Sequence, residues 1–124
     1  MKKIFALLIL ATALSLSSHA AENKTLYHIV SFKYKDGTTP EQIKTIDEAF
    51  KALKTKIPQV ASYAGGPAIK NVGVAKGFGH LSVLTFKSAD DLETYDKSEA
   101  HQAFKKMLTD VMAEVFVYDF WAEE

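Results

Sequence analysis

The sequence predicts an α+β domain with its elements in the order β-α-β-β-α-β, and three observations carry that prediction. Residues 26–35 and 78–86 alternate between two faces with the period of a strand. Residues 43–57 and 92–111 instead place apolar side chains three and four apart, the period of an amphipathic helix. A last segment, 115–121, is dense in valine and aromatic residues, which favour a pleated, half-buried surface.

The chain ahead of the first strand reads differently. Met1-Lys2-Lys3 is basic, Ile4 to Leu16 is apolar, and Ser18-His19-Ala20 places small residues at a cut. That is the pattern of a secretory signal peptide. The apolar run is shorter than the roughly 20 residues of a permanent membrane span. Residues 1–20 therefore read as a signal peptide and 22–124 as the exported domain, periplasmic or secreted. No cysteine stands at the cut, so the expectation is no lipid anchor and no membrane contact after cleavage.

Lys and Arg together match Asp and Glu, 15 against 15, and removal of Lys2 and Lys3 tips the balance slightly acidic. No basic patch remains to suggest nucleic acid as a partner. All the basic residues are lysines, so forked, bidentate recognition of phosphate or carboxylate is unavailable. The absence of cysteine excludes disulfides, thiolate catalysis and cysteine-bound zinc. A small exported domain must then find its stability in packing, often with a second copy.

Along the first strand, Leu26, His28, Val30, Phe32 and Tyr34 share the more apolar face, which should meet helices. His28 is thereby directed into a core or a pocket. Asp36-Gly37 is a turn signal, and Thr39-Pro40-Glu41-Gln42 combines a capping box with proline at the first helical position. The helix should run to about Lys56, because Pro58 disfavours helix at Ile57. Val60 to Gly66 is a weaker strand, and Pro67 to Gly77 a loop of the length that often borders a site. In the strand 78–86, His80, Ser82, Leu84 and Phe86 share a face. Ser88 caps the next helix, Leu92 and Tyr95 share its face, and Ser98 marks a break. Helix then resumes from Glu99 to about Ala113, with His101, Phe104, Leu108 and Val111 on one stripe.

This order is that of the ferredoxin-like motif, an antiparallel sheet with both helices on one face. Its first and third strands are neighbours, which predicts His28 and His80 side by side beneath the second helix. The other face would expose Tyr27, Ile29, Leu81 and Val83, and a second copy of the chain is the expected cover.

The strands H-I-V-S-F-K and G-F-G-H-L-S-V-L-T-F, the segment S-A-D-D-L-E-T-Y-D-K-S-E-A-H and the closing F-V-Y-D-F resemble the stress-responsive dimeric α/β barrel (Dabb) family. The resemblance spans Tyr27 to Trp121 and implies a homodimer whose two sheets close into a barrel. A plant polyketide cyclase of that family works without a cofactor. Its two strand histidines fall on His28 and His80, and its catalytic tyrosine and histidine on Tyr95 and His101. Two departures stand out: S-E-A-H replaces a segment that in many members contains proline, and the loop Ala64 to Gly77 differs from the cyclase.

On the functional reading, His101 takes a proton and Tyr95 polarises a carbonyl, while His28 and His80 bind the ligand. The competing readings are a pocket that binds a small apolar or aromatic molecule without turnover, and histidines that merely tie helix to sheet. A monooxygenase-like activity, of the kind other dimeric barrels show on haem or quinols, is compatible with Trp121 but not singled out. Three histidines from three separate elements lack the compact spacing of metal motifs, so no metal or cofactor is expected. The lysines at 51, 54, 56, 105 and 106 read as solvated helix faces.

Overall fold

The computed structural model describes residues 24–70 and 75–123; residues 1–20, which the sequence reads as a signal peptide, lie outside them. Strand β1 (Leu26–Tyr34) leads to helix α1 (Pro40–Lys56), then β2 (Ser62–Pro67) and β3 (His80–Phe86). Two short helices follow, α2 (Ala89–Lys97) and α3 (Glu99–Leu108), before β4 (Met112–Trp121). The four strands form one antiparallel sheet in the order β2-β3-β1-β4, the ferredoxin-like α+β arrangement.

The caps form where the sequence places them. The Thr39 hydroxyl accepts from the Gln42 N–H, and the Gln42 side chain accepts from the Thr39 N–H, so both arms of the capping box are made. Ser88 caps α2 and Ser98 separates α2 from α3. The second helical stretch ends at Leu108, short of Ala113. Val111 is buried there and its carbonyl accepts from the Lys35 N–H, which starts β4 at Met112, earlier than the aromatic run suggests. β3 likewise starts at His80 instead of Phe78, because Lys76 and Gly77 both take positive φ in a turn closed by the Phe78 N–H on the Ala75 carbonyl.

The core lies between the sheet and the helices. Leu26, Val30 and Phe32 of β1 and Leu84 and Phe86 of β3 meet Ile46, Phe50 and Leu53 of α1 and Phe104 and Leu108 of α3. Phe50 and Phe104 stack at 4.9 Å between centroids and close the two helices over Phe32. The helices leave β4 largely uncovered: Val115 and Val117, facing the helix side, are 46% and 48% exposed. That uncovered margin is what opens a cavity.

On the opposite face the sheet carries an aromatic patch. Tyr27 and Phe120 stack at 5.2 Å, and Phe116 lies parallel to Tyr118 at 6.4 Å. Leu81, Phe116, Tyr118 and Phe120 are exposed, with Tyr27, Ile29 and Val83 half-buried among them. The expected apolar face is present, and β4 makes it larger than the β1 and β3 residues alone suggest.

Candidate functional site

A cavity of about 360 Å³ opens between the β1–β4 side of the sheet and α2 and α3. Its volume suits a small organic ligand. Val30, Phe32, Phe50, Phe104, Val115 and Val117 give it apolar walls. His28, Tyr95, His101 and Asp119 cluster at one end.

Three of the four expected site residues converge. His101 stacks on Tyr95 with centroids 4.4 Å apart, and the His28 ring meets Tyr95 edge-on at 5.7 Å. His80 does not join them. In the antiparallel register His28 stands opposite Leu84, four positions from His80 and roughly 13 Å away along the strand. The expectation that His28 and His80 lie side by side is therefore corrected. The strands are neighbours, but the start of β1 pairs with the end of β3, and His80 opens β3. It packs instead against α1, with Nδ1 at 3.3 Å from Asp47 Oδ2. Tyr63, bonded to Ser82 at 3.0 Å, completes that second polar cluster. Burial there raises the Asp47 carboxyl against the lowering effect of His80.

Asp119 is the residue the sequence reading missed. Its Oδ1 accepts from His28 Nδ1 at 2.5 Å, across a register that sets the two residues opposite each other. The signal was a lone acid within F-V-Y-D-F, on the same strand face as Val115 and Val117. A carboxylate only accepts, so the Nδ1 of His28 carries a proton, and whenever the ring is neutral its lone pair lies on Nε2.

His101 has the same polarity. Its Nδ1 donates to the Asp96 carbonyl at 3.1 Å, which again leaves Nε2 as the bare nitrogen. Burial pushes the His101 pKa below the usual histidine range, outweighing the Asp96 carbonyl that raises it, so the ring is held neutral. Tyr95 is fully buried, and among the described residues its hydroxyl has no hydrogen-bond partner. Burial, reinforced by the charge of Asp96, raises its pKa and keeps the phenol protonated. The cluster thus offers one phenolic donor and two basic imidazole nitrogens, the equipment for holding a carbonyl and moving a proton beside it.

Comparison with known proteins places the domain in a family. The profile of the stress responsive A/B barrel domain matches residues 26–122. The chain belongs to that family, commonly called Dabb. The stress-response A/B barrel domain-containing protein HS1 of Arabidopsis thaliana is 24% identical over 93 residues, covering 75% of this chain and 85% of HS1. Olivetolic acid cyclase of Cannabis sativa is 22% identical over 93 residues, covering 75% of this chain and 92% of the cyclase. Among solved structures, the hydroxynitrile lyase of Passiflora edulis superposes with a TM-score of 0.74 at 24% identity, covering 82% of this chain and 95% of the lyase. A dimeric ferredoxin-like protein of unknown function from Thermobifida fusca superposes at 0.69 with 22% identity, covering 80% and 92% of the two chains. Proteins similar to this chain thus include enzymes and a protein of unknown function, and the fold alone assigns no role.

Proposed function

We propose that this Dabb protein is an exported homodimer that binds a small, largely apolar or aromatic molecule carrying a carbonyl in the cavity beneath α2 and α3. One observation carries the reading: the Tyr95 hydroxyl is buried at the wall of that cavity and, among the described residues, has no hydrogen-bond partner. An orphaned buried hydroxyl costs about 1–3 kcal/mol, and no polar group among the described residues offsets it. A ligand oxygen accepting from Tyr95 would. The direct test is native mass spectrometry of protein purified from its own compartment. A bound small molecule that is lost on denaturation is expected; a mass equal to the bare polypeptide under all gentle conditions would contradict it.

A second reading follows from the paired imidazoles. With His28 fixed by Asp119 and His101 held neutral, the same pocket is suited to cofactor-free acid–base turnover: Tyr95 stabilises an enolate or oxyanion while an Nε2 takes the proton. Two relatives are named as a cyclase and a hydroxynitrile lyase, which supports chemistry of that class on this fold. His80, by its place against α1, belongs to neither reading as a ligand contact.

Dimerisation through the aromatic sheet face accords with the dimeric ferredoxin-like relative. Export rests on the sequence of residues 1–20. N-terminal sequencing of the purified protein should find Ala21 or Glu22 first, whereas an intact Met1 would rule out cleavage.

A further inference from the structure

We propose that the helix break at Ser98 is the device that makes His101 a base, with Ser98 as its positioning residue. The inference rests on the acid–base reading of the pocket. Residues 95 and 101 are six apart, so on one continuous helix their side chains would point about 120° away from each other. Yet the two rings stack at 4.4 Å. The break resolves the contradiction. Ser98 is extended (φ −62°, ψ 149°), ending α2 and starting α3 in one residue. Its hydroxyl donates to the Tyr95 carbonyl at 2.8 Å and accepts from the His101 N–H at 3.1 Å. A single side chain thus ties together the backbone of both pocket residues.

The break also frees a carbonyl. In an unbroken helix the Asp96 C=O would accept from the Ala100 N–H. Here it is one of the unsatisfied groups at the end of α2, and it takes the His101 Nδ1 at 3.1 Å and the Gln102 Nε2 at 2.7 Å instead. A carbonyl only accepts, so this bond selects the Nδ1–H tautomer, the less favoured one of free histidine in water. The Nε2 lone pair is left for the pocket. Around Ser98 the sequence would otherwise favour continuous helix, since Glu99, Ala100, Gln102 and Ala103 are all good helix formers.

The test is nitrogen-15 NMR of the imidazoles in the intact dimer, with His101 assigned by its loss in His101→Gln. It needs no substrate, so it fails or succeeds independently of ligand binding. The wild-type ring should be predominantly Nδ1–H; an Nε2–H ring would overturn the proposal without any variant. Ser98→Ala should move His101 to Nε2–H or a mixture of tautomers. Adding Glu99→Pro should restore Nδ1–H. Proline suits the first helical position and bars residue 98 from helical backbone, so the break returns without the hydroxyl. An Nδ1–H tautomer retained in Ser98→Ala, or lost there and not regained with Glu99→Pro, would show that the break does not set it.

Discussion

Ile29→Asp should convert the protein from dimer to monomer while leaving each chain folded. Ile29 lies on the open face of the sheet, opposite Val83 on one side and Tyr118 on the other. In the single chain it is only half-buried, so an aspartate there still reaches water. In a two-fold dimer closed over this face it would not, and symmetry places the change twice in one interface. Burying an unpaired carboxylate costs several kcal/mol per ion. Two such costs weaken the dimer by on the order of a thousandfold or more. Lys54→Asp, on the exposed outer side of α1, should leave the association intact. Light scattering of the mature protein and both variants decides it. A wild-type monomer at micromolar concentration, or an Ile29→Asp variant that remains dimeric, would show that this face is not the interface.

Tyr95 should give two opposite results according to what replaces it. It heads the largest fully buried side chains, packed against Phe86 at 5.2 Å and His101 at 4.4 Å. Tyr95→Ala opens a void there and should cost about 3–5 kcal/mol of stability. Tyr95→Phe removes only a hydroxyl that has no partner to lose among the described residues. Its stability should be unchanged or higher, by up to about 1–3 kcal/mol if the desolvation penalty is fully relieved. Denaturant unfolding of the three chains reads this directly. A marked loss in Tyr95→Phe would mean that the hydroxyl has a partner within the fold.

The fold was legible because periodicity and punctuation agree in this chain. The capping box at Thr39–Gln42, the stop before Pro58 and the break at Ser98 each rest on local chemistry that a sequence displays. The pocket was legible in part for the same reason. Tyr95 and His101 fall on either side of one visible break, and His28 on the helix-facing side of an alternating strand. What lay hidden was register. Alternation says which face a residue takes, not how far along its neighbour it sits. That is why the sequence pairs His80 with His28 although it stands four positions away, and why it does not reveal Asp119, directly across the β1–β4 ladder. The early start of β4 was hidden likewise, because the bond from the Lys35 N–H to the Val111 carbonyl is a long-range contact.

The central claim is that the Tyr95 hydroxyl serves a ligand, and binding to Tyr95→Phe tests it most directly. Wild type and variant should be titrated calorimetrically with one panel of small aromatic carbonyl compounds, including polyketide-like ones. The account predicts at least one compound that binds the wild type. That compound should bind Tyr95→Phe roughly tenfold or more weakly, the loss of one hydrogen bond to a buried donor, although the variant is no less stable. Equal affinity in both proteins, or no compound bound by either, would contradict it.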